Sequence, residues 1–123
     1  MLKKLESFIL NKKAVTLSYP FGEQAMVFKL NGKMFALIAK KEKPLHLSLK
    51  CDPFDALSYR EIYESVIPGY HLNKKHWNTI YVNGEVKEDI LFEMINDSYE
   101  LVLQKFSKKI QNEIENNKDN NVL

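Results

Sequence analysis

Between Tyr70 and Ile80 the chain reads YHLNKKHWNTI, which holds two lysines, two histidines, two asparagines and the only tryptophan, without one acidic residue. Those side chains suit nucleic-acid contact. Lys74 and Lys75 can neutralise phosphates, while His71, His76, Asn73 and Asn78 can hydrogen-bond. Trp77 and Tyr70 can stack on bases. The same segment also reads as a solvated basic turn with Trp77 folded inward as a core anchor, because large aromatics dominate small cores. The exposure of Trp77 separates the two readings.

Other reactive side chains are sparse. His71 and His76 stand five apart, and His46 or Cys51 could converge on them to hold a metal. That is not the i, i+4 spacing of a helical zinc motif, so no metal is expected. Cys51 precedes Asp52-Pro53, a helix start that could lower a thiol pKa, although lone cysteines are ordinarily inert core residues. One cysteine permits neither an internal disulfide nor a CxxC knuckle, which suits a reducing compartment, and the cytoplasm is expected. Glu61 and Glu64 could share a helix face, as pairs on solvated helices commonly do. There is no glycine-rich phosphate loop, nucleophile elbow or paired-histidine helix, so neither catalysis nor a cofactor is expected.

At 123 residues, 45% hydrophobic and 28% charged, the chain can bury one core. One domain over 1–115 is expected, followed by a frayed polar tail over 116–123. Apolar runs such as Met34 to Ala39 fall far short of the roughly 20 residues that cross a bilayer. The opening MLKKLESFILNKK is interrupted by Glu6 and Ser7 and lacks a cleavage site, so no signal peptide is read. The net charge of +2 divides unevenly, +7 over residues 1–50 and −5 over the rest. If the first half forms one surface, that surface attracts anions; the alternative is that the charges intermingle.

The elements that must position these residues follow from periodicity. Leu2, Leu5, Phe8 and Ile9 have helical spacing, and that helix ends near Asn11 to Lys13. SYPFGEQ is read as a loop. Alternation from Ala25, the Asn31-Gly32 pair and the run Lys33 to Ala39 predict a β-hairpin. Leu45, Leu47 and Leu49 alternate with His46, Ser48 and Lys50 as a third strand. Asp52-Pro53 predicts a helix start, with Pro68-Gly69 stopping the helix after about Ser65. Asn78 to Val82 reads as a strand closed by Asn83-Gly84. The last third reads as a short helix with Ile90, Leu91, Met94 and Ile95 and a longer one with Tyr99, Val102, Leu103, Phe106 and Ile110. Asp97 and Glu100 form a capping pair between them.

Pro20-Phe21-Gly22, Val27-Phe28-Lys29, Gly32-Lys33-Met34-Phe35-Ala36, Leu47-Ser48-Leu49-Lys50-Cys51-Asp52-Pro53 and PGYHLNKKHWNT, followed by Ser98-Tyr99, come in a distinctive order. Over about residues 15 to 106 the chain resembles the MmcQ/YjbR family of small bacterial proteins. The resemblance implies an α+β fold similar to the CyaY-like (frataxin-like) arrangement, an antiparallel sheet with helices packed on one face. It also implies a DNA-binding role. Frataxin-like proteins bind iron through carboxylates of the first helix and adjoining strand. Here that helix offers Lys3, Lys4, Lys12 and Lys13 and only Glu6, whereas a hard cation wants several carboxylate oxygens, so iron handling is not expected.

The reading is a cytoplasmic, non-enzymatic DNA-binding protein that contacts phosphates through a basic sheet face and the Tyr70 to Asn78 segment. Its contact set is Lys29, Lys33, Lys50, Tyr70, His71, Lys74, Lys75, His76, Trp77 and Asn78, with Lys29 and Lys33 flanking the hairpin like a wing. The competing reading is a protein-interaction or small-ligand-binding module with a pocket among Trp77, Tyr70 and Phe21. No heptad repeat demands a dimer, so a monomer is expected.

Overall fold

The computed structural model describes residues 1–116. Helix α1 (Leu2–Leu10) sends Leu5 and Ile9, one helical turn apart, into the core. The chain then enters β1 (Val15–Ser18), which fills the stretch left unassigned between the expected helix and the SYPFGEQ loop and takes Ser18 from that loop. Four residues are too short for alternation to register, and pairing with β2 (Ala25–Leu30) makes the strand. β2 turns directly into β3 (Lys33–Ala39) through Asn31 at φ 47° and Gly32 at φ 89°. Positive φ at both central residues is what a tight type I′ hairpin demands.

β4 (Leu45–Lys50) follows, then α2 (Pro53–Ile62), whose cap is as the sequence suggests: the Asp52 carboxylate accepts from the Phe54 and Asp55 amides. The helix stops at Ile62 rather than Ser65, because Val66 is needed in a further strand, β5 (Val66–Pro68). Pro68 lacks an N–H for the ladder and is tolerated in this edge strand. β6 (Trp77–Val82) lies between β5 and β4. α3 (Glu88–Leu103) is continuous through Asp97 and Glu100, where a break was expected. Met94, Ile95, Ser98 and Val102 keep one buried face across that point, so packing overrides the local capping signal. The break falls later, where the Ser107 hydroxyl accepts from the Ile110 amide at the start of α4 (Lys108–Asn116). The expected polar tail, apart from Asn116, lies outside the described residues.

The six strands form one sheet in the order β1-β2-β3-β4-β6-β5, with every neighbouring pair antiparallel. This is the expected α+β architecture with helices on one face. Met26, Phe28, Ile38, Leu47 and Ile80 point into a core shared with Leu5 and Ile9 of α1 and Leu91 and Ile95 of α3. Each such side chain contributes roughly 1.5 to 3 kcal/mol through burial. On the opposite face a single row crosses all six strands: Ser18, Val27, Leu37, Ser48, Thr79 and Ile67. Beside it, His46 stacks on Tyr81 with ring centroids 4.5 Å apart.

Candidate nucleic-acid interface

The segment between β5 and β6 is a tight flap. Gly69 donates its N–H to the Trp77 carbonyl at 2.8 Å. A Cβ on Gly69 would lie 2.7 Å from Trp77 Cβ, so only glycine fits. The Tyr70 amide donates to Thr79 Oγ1 at 2.9 Å, and that hydroxyl shares a 2.7 Å hydrogen bond with Ser48 on the helix-free face. The Asn73 side chain accepts from the Lys75 and His76 amides, and Lys74 Nζ donates back to the Gly69 carbonyl at 2.8 Å. His71 takes a left-handed φ of 60°, and its ring lies against Tyr70 with centroids 4.0 Å apart.

Trp77 is only 8% exposed, so its ring is a structural anchor and is not free to stack on a base. Asn78 is 3% exposed and equally committed. Its carbonyl accepts from Arg60 Nε at 2.7 Å and its amide donates to the Ala56 carbonyl at 3.2 Å. Arg60, the chain's one arginine, also donates to the Trp77 carbonyl at 3.3 Å and to the Lys74 carbonyl. One guanidinium therefore ties α2 to the C-terminal end of the flap and the start of β6. Of the expected set, Tyr70 (59% exposed), His71, Lys74 and Lys75 are at the surface and His76 is half-buried.

Lys33 is exposed, and Lys29 and Lys50 are half-buried. Burial lowers the Lys50 pKa, and the nearby ammonium groups of Lys105 and Lys33 lower it further. Sequence reasoning missed Lys105, which lies far along the chain just past α3. None of the six strands contains an aspartate or glutamate, and neither does the flap from Gly69 to His76. The carboxylates collect in helices and loops instead: α3 holds Glu88, Asp89, Glu93, Asp97 and Glu100 with no basic residue. Carboxylates are thus kept out of the sheet, whereas basic residues occur in both layers, as Lys3, Lys4, Lys108 and Lys109 of α1 and α4 show. Lys12 donates to Asn96 of α3 and lies over the Phe8 and Tyr99 rings, so the lysines of the first half do not make one surface. Among the described residues only Lys4–Glu88 and Lys41–Glu23 form ion pairs.

A cavity of about 350 Å³ lies on the helix side, and it is lined by none of Trp77, Tyr70 and Phe21, the residues expected to border a pocket. It lies between α2 and α3 over β4 and β6. Cys51 borders it, and its thiol is pushed up to about 11 by burial and by Asp55, Asp52 and Asp97. The shift is opposite to the lowering that a helix start could give and accords with the reading of an inert thiol. Among the described residues no three histidine, cysteine or acidic side chains come together to hold a metal, and no helix is long and apolar enough to cross a membrane.

The class of protein so defined is an α+β domain with one helix-free, carboxylate-free sheet face. A family model described as YjbR matches residues 10–101. YbdF of Escherichia coli O157:H7, an uncharacterized protein, is 41% identical over 100 residues, spanning 81% of this chain and 82% of its own. YjbR of Escherichia coli K12, also uncharacterized, is 31% identical over 77 residues, 63% of this chain and 65% of its own. The crystal structure of Deinococcus radiodurans DR2400, a DUF419 domain, superposes with a TM-score of 0.89 at 36% identity, covering 94% of this chain and 88% of that one. A Pseudomonas syringae crystal structure gives a TM-score of 0.69 at 26% identity, covering 80% and 96%. The chain belongs to the YjbR family.

Proposed function

We propose that the protein is a non-enzymatic nucleic-acid-binding module of the cytoplasm, and that the sheet face free of helices, rimmed by the Gly69 to His76 flap, holds the phosphate backbone of DNA. The observation that carries this reading is the absence of any carboxylate from the strands and the flap, with Lys29 on the same face as Val27 and Lys74 and Lys75 in the flap. Lys50 opens instead onto the helix side, and Lys33 shares the row of the core residue Leu30. Such a face attracts polyanions without a competing carboxylate. Trp77 and Asn78 support the flap from beneath, while Tyr70 and His71 offer the exposed rings. Binding is therefore directed at backbone and shape, with stacking from Tyr70, and not at base edges.

The test is fluorescence anisotropy of labelled duplex and single-stranded DNA over a salt series. Affinity should fall linearly in log–log coordinates, and Lys29→Ala with Lys75→Ala should reduce the slope by about 2. Tyr70→Ala should weaken single-strand binding by about 1 kcal/mol or more and duplex binding less. Absence of binding at low salt, or a slope unchanged by the lysine pair, refutes the reading.

A further inference from the structure

The cavity between α2 and α3 belongs to the other, acidic layer and calls for a different ligand. Its floor is Leu49, Val66, Ile80 and Met94, all buried and apolar. Its rim carries the carboxylates of Asp52, Asp55, Asp97 and Glu100, against Lys50 as the sole cation of the lining. None of those four carboxylates makes an ion pair within the described residues. We infer that this cavity binds a small organic ammonium ion, its apolar body on the sheet floor and its charged nitrogen between Asp55 and Asp97.

The volume of about 350 Å³ is at the lower end of small-molecule sites, which suits a compact ligand. An apolar floor favours a hydrocarbon or aromatic body over a hydrated ion. The carboxylates are spread along two helices and do not converge as a metal site requires, which favours a cation that brings its own apolar surface. The field at the site has the same sign. The Asp97 carboxyl is held above its ordinary range by burial and by Glu93 and Asp55, and Tyr59 is raised by burial and by Asp97. An ammonium ion would relieve that repulsion, and the Tyr59 ring on the lining adds a face for cation–π contact. An anionic ligand would meet four negative charges with one positive.

The test uses 2-phenylethylammonium and 3-phenylpropionate, which share a body and differ in the sign of their charge, in calorimetric and NMR titrations of the full chain. The amine should bind and perturb residues around Cys51, Tyr59 and Met94, and the carboxylate should not. Asp97→Asn and, separately, Asp55→Asn should each weaken the amine about ten- to hundredfold. Glu113→Gln, on α4, should leave the affinity unchanged and reports on general charge effects. Both rim residues are exposed, so folding of the variants is checked by circular dichroism. No binding of the amine, equal binding of both probes, or indifference to both substitutions overturns the inference. None of these results bears on the Lys29 and Lys75 measurements.

Discussion

At the scale of single residues, Arg60 holds the flap together more than any side chain within it. Its guanidinium saturates the buried Asn78 carbonyl oxygen and caps the carbonyls of Lys74 and Trp77. Truncation would leave Asn78 Oδ1 without its donor in a site that is 3% exposed. Hydrogen bonds to charged groups contribute about 1.5 to 3 kcal/mol, so Arg60→Ala should lower stability by about 2 to 3 kcal/mol in urea unfolding. Amide exchange should accelerate from Tyr70 to His76, and an unchanged exchange rate there would contradict the tie. Nothing near Arg60 in sequence announces this, because its partners lie 14 to 18 positions away. The available signal was the chain's single arginine on one element and an isolated asparagine in an apolar strand on another. Trp77 was open in the sequence for a related reason: a large ring beside lysines satisfies both a stacking platform and an anchor, and the close approach of Gly69 decides it.

At the scale of elements, α3 is registered on the sheet by one hydroxyl. Ser98 Oγ donates to the Phe35 carbonyl at 2.6 Å and accepts from the Lys50 amide at 2.9 Å, bridging β3 and β4 where the β2–β3 ladder shifts register. Ser98→Ala would strand both backbone groups in a buried position, at a cost of about 2 kcal/mol in unfolding free energy. Ser98→Thr is not a rescue, since the added methyl meets a closed core. A destabilisation within about 0.5 kcal/mol of the range of ordinary surface substitutions would show that the bridge is dispensable. The hairpin at Asn31-Gly32 and the Asp52-Pro53 helix start were legible because their signals are complete within a few residues. β1 and β5 were not, since strands of four and three residues exist only through their pairing with β2 and β6. The Asp97 to Glu100 signal was local and misled, because the apolar stripe of α3 runs through it without a break.

At the scale of the whole molecule, burial against the helix layer, reinforced by its carboxylates, couples two weak acids to stability at alkaline pH. Burial and neighbouring carboxylates push Cys51 up from 9.0 to about 11, and burial with Glu100 and Glu115 pushes Tyr99 up from 10.0 to about 12. Both are acids whose neutral forms the fold retains. The unfolded chain releases these protons near pH 9 and 10, and the folded chain only near 11 and 12. Between about pH 9 and 12 these two groups therefore bind fewer protons in the unfolded state, and their contribution to stability falls as pH rises through that window, while the lowered Lys12 and Lys50 contribute with the opposite sign. Below pH 9 this contribution is full and constant. The difference in urea midpoint between the wild type and Cys51→Ala with Tyr99→Phe should shrink as pH rises across the window. That variant starts lower, because the Tyr99 hydroxyl donates to the Lys13 carbonyl at 2.8 Å, so the slope and not the intercept is the readout. Alkylation of Cys51 by iodoacetamide supplies a site-specific check, with its rate rising through a midpoint near 11. A difference in midpoint that stays constant with pH, together with a thiol that titrates near 9, would show that neither burial nor the carboxylates of α2 and α3 hold the thiol neutral.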